Sequence, residues 1–266
     1  MEFLFFDVEC ANCFGGVGKM CSFGYVLVDS EFNVIETDDI VMNPEAPFDW
    51  YLYKNKNDIK LAYSQEFFRS KPSFSGYYDR VKSLLTKPGV KVFAFSALND
   101  IGFVVSACER YDKKVFDFSA YDLEKVIKSD DEIFGSLEER CRILNVDNSD
   151  LHAHKSSDDA IMTMRLLKSY IQKKSITVES LMKSSGGVCF STKTFIKKRE
   201  ERNRKKLRQA RGGEKRKNYG APPRKNKSPK TGKALNRRRS DSRTITFECS
   251  FPCLKSAPHF FEDAEC

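Results

Sequence analysis

The stretch Phe3-Leu4-Phe5-Phe6-Asp7-Val8-Glu9 is an apolar run that ends in two carboxylates two residues apart. In a β-strand, residues i and i+2 point to the same face of the sheet, so Asp7 and Glu9 are expected to project together while Val8 turns into a core. Two adjacent carboxylates repel each other unless a proton or a cation lies between them. A divalent cation with oxygen ligands is the natural partner, and a strand end with two solvated acids is the alternative.

Outward from this stretch, strands come first and then alternate with helices. Strands are expected over residues 3–9, 22–28, 34–42, 90–95 and 115–118, which are short apolar runs bounded by turn residues. Helices are expected over residues 75–85, 101–110, 123–127 and 133–144, and from an N-cap at Ser156 or Ser157 to Gln172. This order predicts an α/β fold with helices on both sides of a central sheet. Residues 45–70 are rich in aromatic side chains, Trp50 among them, for which packing beneath a long loop is preferred over base stacking.

The charge of the chain divides it into an acidic body and a basic tail. Residues 193–243 hold 22 Lys and Arg against 4 Asp and Glu, a net charge of +18, so the whole-chain charge of +9 leaves −9 for the rest. Residues 197–211 are charged helix formers with almost no apolar face and would form a marginal helix at best, and residues 212–243 cannot bury enough apolar surface to fold. The tail is expected to bind the backbone of a nucleic acid, and a solvated tag without a defined target is the alternative.

The predicted organisation has four parts. They are a folded domain over residues 1–173, a linker with a short helix over 174–192, a basic and largely disordered tail over 193–243, and an unassigned segment over 244–266. No stretch approaches the roughly 18 consecutive apolar residues that a membrane-spanning helix needs, and the N-terminal run is interrupted by Asp7, unlike a secretory signal peptide. A cytoplasmic protein without a membrane partner is therefore expected.

Nine cysteines at irregular spacings do not indicate a disulfide framework in a chain of this size. Cys10, Cys13 and Cys21 together could ligate zinc, but a fourth ligand is missing from any usual spacing. Small residues beside a strand end are the preferred interpretation of this group.

Two further acids stand at positions where an α/β sheet gathers functional groups. Asp100 comes shortly after a predicted strand, and Asp159 lies in the first turn of a predicted helix. In open α/β sheets such groups meet outside the carboxyl ends of the strands, where Asp7 and Glu9 are also expected. Four carboxylates in one pocket require cations, and two Mg²⁺ or Mn²⁺ ions about 3.5–4 Å apart would form a phosphodiester-cleaving site.

A histidine precedes the last of these acids by five residues. The imidazole of His154 could take a proton from the attacking water. His152, seven residues before Asp159, is the rival base and is placed second.

Three motifs carry a resemblance to a known family. They are Asp7-Val8-Glu9, the Asp100 of Ser96-Ala97-Leu98-Asn99-Asp100, and His154-Lys155-Ser156-Ser157-Asp158-Asp159-Ala160, which has the form H-x4-D followed by a small residue. In this order and at these distances, residues 1–173 resemble the 3′→5′ exonucleases of the DEDD group, histidine subtype. Proofreading exonucleases, oligoribonuclease and ribonuclease T belong to that family.

The resemblance implies an RNase H-like fold and a specific chemistry. It implies hydrolysis of single-stranded DNA or RNA from the 3′ end, with two Mg²⁺ or Mn²⁺ ions and release of nucleoside 5′-monophosphates. It implies that His154 is the general base and that the metals are held by Asp7, Glu9, Asp100 and Asp159. The residues that follow the first motif line the terminal nucleotide in the family, which implies nucleotide contacts from Cys10, Ala11 and Phe14.

The sequence departs from the family at two places. The second motif usually reads His-Asn-x-x-Phe-Asp, where this chain has residues 95–100, Phe-Ser-Ala-Leu-Asn-Asp. The first motif is usually followed by Thr-Thr-Gly-Leu, where this chain has residues 10–14, Cys-Ala-Asn-Cys-Phe, so the choice between DNA and RNA stays open. A non-catalytic adaptor that binds nucleic acid is the alternative function, and an unrelated fold with scattered acids is a third possibility. The presence of all five functional residue types favours the enzyme.

Overall fold

The computed structural model describes residues 1–53, 61–128, 132–185 and 188–218, with a mixed six-stranded sheet flanked by helices. The strands are β1 (Glu2–Cys10), β2 (Met20–Val28), β3 (Val34–Val41), β4 (Val90–Ala94), β5 (Ser119–Asp122) and β6 (Cys189–Ser191). Their order across the sheet is β3-β2-β1-β4-β5-β6. Strands β1, β4 and β5 run parallel, whereas β2, β3 and β6 are antiparallel to their neighbours. The predicted α/β, RNase H-like fold class is confirmed.

Eight helices in the described ranges surround this sheet or follow it. They are α1 (Gln65–Arg69), α2 (Phe74–Leu85), α3 (Ala97–Arg110), α4 (Leu123–Lys128), α5 (Leu137–Ile143), α6 (Ser156–Lys174), α7 (Val178–Ser184) and α8 (Thr192–Asn218). Helices α2 and α3 pack on one face of the sheet, and α4 to α7 pack on the other. The apolar strands of a sheet covered on both faces are buried on both sides, which explains the continuous apolar run in β1.

Strand β1 alternates between the two cores. Leu4 and Phe6 belong to the core beneath α2 and α3, whereas Phe3 and Phe5 belong to the core beneath α6. Because the side-chain period of a strand is two, the side chains of Asp7 and Glu9 point to the same face as Phe3 and Phe5. They lie beyond the apolar part of that face. The pair therefore faces the side of the sheet on which α6 packs.

The predicted strand over residues 115–118 is wrong, because β5 spans Ser119–Asp122. The rings of Phe116 and Phe118 are buried in the core while their backbone is irregular. Strand β5 begins at Ser119, where its backbone pairs with Ser191 of β6, and its last two residues, Tyr121 and Asp122, pair with β4. Apolar content alone did not distinguish a buried loop from a strand.

Two other expectations also differ from the structure. The N-cap of α6 is Lys155, not Ser156 or Ser157, because the Ser156 hydroxyl is hydrogen bonded to Ser22 and Asp39 instead of a backbone N–H. The linker predicted over residues 174–192 was expected to contain a short helix, and α7 lies there, packed on the core. Strand β6, which pairs with β5, was not expected in this segment.

Met1–Ile196 belongs to one compact unit, and a second unit begins at Lys197. The structure describes the second unit as the helical residues 197–218. The predicted basic tail over 193–243 therefore lies partly outside the described residues, and the segment 244–266 lies wholly outside them. Among the described helices, no segment combines the length and hydropathy needed to cross a membrane.

Candidate active site

A glycine lets the start of α6 approach the end of β1. Gly24 in β2 is the pairing partner of Asp7 in β1. A Cβ atom on Gly24 would lie 1.9 Å from the carbonyl carbon of Ser156 and 1.9 Å from the backbone nitrogen of Ser157. Only a residue without a side chain permits this contact, which holds the first turn of α6 against the sheet beside Asp7.

The loop before α6 is tied to the carboxylates of its first turn. The His154 N–H donates to Asp159 Oδ2 at 3.1 Å, and the His152 N–H donates to Asp158 Oδ2 at 2.9 Å. Asp158 also accepts a hydrogen bond from Lys155 Nζ at 2.9 Å. His154 has a positive φ of 61°, an uncommon conformation for a residue with a side chain. These bonds fix the loop so that the His154 imidazole lies beside the acids.

Glu9, His154 and Asp159 form a compact group in which one potential ligand atom from each lies within 4.8 Å of the others. His154 Nδ1 is 3.6 Å from Glu9 Oε1. This polar contact is the main cause that raises the pKa of His154, against the opposing effect of burial. His152 is exposed, so the structure brings the first-choice histidine, and not its rival, to the acids.

Three carboxylates of this site have pKa values well above the ordinary range. Burial is the largest cause for Asp7, and the charges of Asp100, Glu9 and Asp39 add to it. Burial is also the largest cause for Asp159, followed by the charges of Asp7 and Glu9. The charges of Glu9 and Asp100 thus act on Asp7, and those of Asp7 and Glu9 act on Asp159.

Asp100 reaches the site from the first turn of α3. Burial raises its pKa most, and the charges of Asp122 and Glu9 raise it further. Its Oδ2 atom is buried without a hydrogen-bond partner among the described residues. A buried carboxylate oxygen without a partner is costly, and a cation would satisfy it.

The turn that presents Asp100 depends on residues that the sequence did not single out. Ser96, between β4 and α3, has a positive φ of 65°, and its hydroxyl donates to Glu124 Oε2 at 2.6 Å. Asp122, the last residue of β5, is fully buried and forms an ion pair with Lys125. The strand-end rule points to Asp122 once β5 is placed correctly.

Asp39 is a second acid that the sequence did not single out. It accepts hydrogen bonds from the Ser156 hydroxyl at 2.6 Å and from the Tyr63 hydroxyl at 2.9 Å. Burial raises the pKa of Asp39. Asp39 therefore joins β3 to the start of α6 close to Asp7.

The three residues expected to contact a nucleotide differ in accessibility. Ala11 is fully buried, its N–H donates to Lys19 O at 2.8 Å, and its carbonyl accepts from Asp49 N–H at 2.8 Å. Cys10 is partly exposed, and the ring of Phe14 is 54% exposed. Of the three, only Cys10 and Phe14 present side-chain surface to solvent.

Comparison with solved structures gives matches to exonuclease I. One exonuclease I structure matches with a TM-score of 0.54 and 18% identity over 69% of this chain. The chain has the fold of exonuclease I. The matched region is 42% of exonuclease I, so this chain corresponds to less than half of that protein.

The exonuclease I matches include complexes with DNA. An E. coli exonuclease I complex with a 5cy-dA13 oligonucleotide matches with a TM-score of 0.53 and 17% identity, over 69% of this chain and 42% of exonuclease I. The zinc-bound E. coli exonuclease I–ssDNA complex matches with a TM-score of 0.52 and 18% identity, over 65% of this chain and 41% of exonuclease I. No protein-family model and no curated protein sequence matches this chain.

Proposed function

We propose that this protein is a metal-dependent 3′→5′ exonuclease of the histidine subtype, which removes nucleoside 5′-monophosphates from the 3′ end of single-stranded DNA or RNA. The observation that carries the proposal is the group Glu9, His154 and Asp159, whose potential ligand atoms lie within 4.8 Å of one another. Asp7 and Asp100 are close enough for their charges to interact with Glu9. The fold shared with exonuclease I, which has been solved with single-stranded DNA, supports the proposal.

The donor set fits a pair of hard divalent cations. Carboxylate oxygens are the ligands that Mg²⁺ and Mn²⁺ prefer, and the partnerless oxygen of Asp100 is available to such an ion. We assign Asp7, Glu9, Asp100 and Asp159 as the residues that would hold two of these cations. Bound there, the cations would supply Lewis-acid activation of the attacking water and stabilisation of charge on the leaving 3′-oxygen.

His154 is the proposed general base. Its Nδ1 faces the Glu9 carboxylate at 3.6 Å, so a proton on Nδ1 is favoured and Nε2 is left to accept the proton from water. The backbone of His154 is fixed by its hydrogen bond to Asp159, which sets the position of the ring. Glu9 therefore serves both as a ligand and as the group that orients the base.

The basic segment is the proposed contact for the nucleic-acid backbone. Residues 197–208 of α8 hold eight Lys and Arg against two Glu. Such contacts are independent of sequence and weaken as salt rises. They would raise the affinity for long substrates without selecting DNA or RNA.

A cleavage time course tests the proposed function directly. Oligomers of DNA and RNA with a 5′ label are incubated with the purified protein and Mg²⁺, Mn²⁺ or a chelator. We expect products that shorten stepwise from the 3′ end only when a metal is present, and no products with Asp7→Ala or Asp159→Ala. Glu31→Ala is the matched control, because Glu31 is exposed in the turn after β2, at the opposite end of the sheet from Glu9. Intact DNA and RNA oligomers after incubation with Mn²⁺ would contradict the proposal.

A further inference from the structure

Two large aromatic side chains are exposed on adjoining turns beyond the end of β1. Phe14 begins the 3₁₀ turn Phe14–Gly16, and Trp50 begins the 3₁₀ turn Trp50–Tyr53. Their rings are 54% and 64% exposed. Aromatic rings are usually a large part of a protein core, so two exposed rings beside a candidate site indicate a contact surface.

A buried asparagine joins the two turns. Asn12 is 4% exposed, its Oδ1 accepts the N–H of Phe14 at 3.1 Å, and its Nδ2 donates to the carbonyl of Pro47. The carbonyl of Ala11 also accepts the N–H of Asp49. The two aromatic residues are therefore held in one local framework.

The backbone at Trp50 is fixed by its neighbours. Phe48 and Leu52, two residues to either side, are buried with Ala11 in a separate apolar cluster. Trp50 lies between these anchors with its ring toward solvent. A side chain on an anchored turn loses little conformational freedom when it binds a partner.

This framework adjoins the carboxylate site. Ala11 follows Glu9 by two residues, and Cys21, which is buried in the same cluster as Ala11, donates its thiol hydrogen to the carbonyl of Glu9 at 3.4 Å. Lys19 pairs with the same loop, because its N–H donates to Asn12 O at 2.8 Å. The rings of Phe14 and Trp50 and the side chain of Lys19 thus belong to the segments around the loop that follows β1.

We propose that Phe14 and Trp50 form a stacking surface for the bases of a single-stranded nucleic acid whose end lies in the carboxylate site. The inference rests on the proposed function, and it adds Trp50 to the nucleotide contact already expected at Phe14. The occupant is argued from continuity with a phosphodiester-cleaving site and from the combination of aromatic faces with a cation, which matches the bases and phosphates of a single strand. Every base has a π-face, so the surface tolerates any sequence.

The only tryptophan of the chain makes the proposal directly measurable. Because the sequence contains one Trp, its fluorescence reports on Trp50 alone. The full-length chain with Asp159→Asn, which prevents cleavage, is titrated with dT8 and with an octamer of abasic sugar–phosphates. We expect saturable quenching by dT8 and none by the abasic octamer, because the two share their phosphates and differ only in bases.

Variants give a second, independent measurement. In the same background, Trp50→Ala and Phe14→Ala are each expected to weaken dT8 binding about 5-fold to 150-fold, the range for one stacked base. Their affinity for the abasic octamer should stay unchanged. Ile35→Ala is the control, because Ile35 is an exposed apolar side chain near the start of β3, toward the opposite end of the sheet.

Equal affinities of Trp50→Ala, Phe14→Ala and the Asp159→Asn parent for dT8 would overturn the inference, as would quenching that dT8 and the abasic octamer share. Loss of self-association in Trp50→Ala with unchanged dT8 affinity would also overturn it, by showing a protein contact. Cleavage by the chain with native Asp159 separates this outcome from failure of the proposed function. Cleavage with unchanged dT8 binding refutes only the stacking surface, whereas absence of cleavage refutes the enzyme.

Discussion

Replacing Asp159 by asparagine removes one negative charge and keeps the shape of the side chain. Asp159 and Glu9 have oxygens within 4.8 Å of each other, which corresponds to about 3.5 kcal/mol of repulsion at an effective dielectric constant near 20. The charge of His154 opposes part of this. In a chelator at pH 7 we therefore expect Asp159→Asn to stabilise the fold by about 1–3 kcal/mol, or roughly 2–12 °C in Tm for a folded unit of this size.

Asp158→Asn is a control for which we expect the opposite change in stability. Asp158 accepts hydrogen bonds from Lys155 Nζ and from the His152 N–H, each at 2.9 Å. Hydrogen bonds to a charged group contribute about 1.5–3 kcal/mol, and asparagine keeps only part of this. Asp158→Asn should therefore destabilise the chelated protein by about 1–2 kcal/mol.

The pH dependence of the two variants should also be opposite. The pKa of Asp159 is raised in the folded state, so the destabilisation by its ionised form appears as pH rises through that pKa and is absent below the unfolded value near 4. The pKa of Asp158 is lowered, so its stabilisation is present above about 4 and is lost as pH falls through its folded value. At pH 7 the Tm of Asp159→Asn should lie above that of wild type and the Tm of Asp158→Asn below it. In acid both Tm values should approach that of wild type.

Adding metal should make wild type more stable than Asp159→Asn, which reverses the order expected in chelator. A cation that binds only the folded state contributes about 2.7 kcal/mol at 100 times its Kd. Wild type should gain this stability with Mn²⁺, and Asp159→Asn should gain much less. Thermal melts with chelator and with Mn²⁺ measure both effects. A lower Tm for Asp159→Asn than for wild type in chelator at pH 7 would refute the electrostatic reasoning.

Three further predictions test other parts of the molecule. His154→Ala should lower kcat by about 10²–10⁴, the usual contribution of a general base, and His152→Ala should stay near wild type; similar losses in both would refute the assignment. Gly24→Ala should cost about 1–3 kcal/mol or more in a denaturant melt, because its Cβ meets the backbone of Ser156, and unchanged stability would contradict that contact. Replacing five exposed basic residues by Gln should reduce the slope of log K against log salt by up to about 3.5, at about 0.7 per lost phosphate contact of a single strand, whereas an unchanged slope would exclude these side chains. The five are Arg202, Arg204, Lys205, Lys206 and Arg208.

The sequence predicted those parts of the site that depend on local patterns. The alternation in β1 placed Asp7 and Glu9 on one face because a strand has a period of two. Helix α6 was predicted from its apolar spacing, which put Asp159 in the first turn. Both inferences required only the geometry of single elements.

The residues that were not singled out depend on contacts between distant segments. Asp39 lies near the end of β3, and its place beside Ser156 exists only because α6 packs across β2 at Gly24. Asp122 was missed because strand pairing with β6 and β4, and not apolar content, decides where β5 begins and ends. Long-range pairing overrides local preference in strands, so these acids could not be derived from one sequence.

Ser96 stands at a place where the family that the sequence resembles commonly has Asn, a residue that tolerates positive φ well. Serine tolerates this conformation less well. Here Ser96 has a φ of 65°, and its hydroxyl donates to Glu124. This hydrogen bond supports the turn that leads to Asp100.

The distribution of charge constrains the proposed binding of nucleic acid. Outside residues 193–243 the chain carries a net charge of −9, which includes the four carboxylates of the candidate site. A polyanion is repelled by such a surface unless cations neutralise the site. Under the proposed function, attraction would therefore come from two sources, the divalent cations at the carboxylates and the basic segment with its net charge of +18. Because only the second source is screened strongly by monovalent salt, high salt should weaken the affinity for long strands far more than it lowers kcat on a dinucleotide.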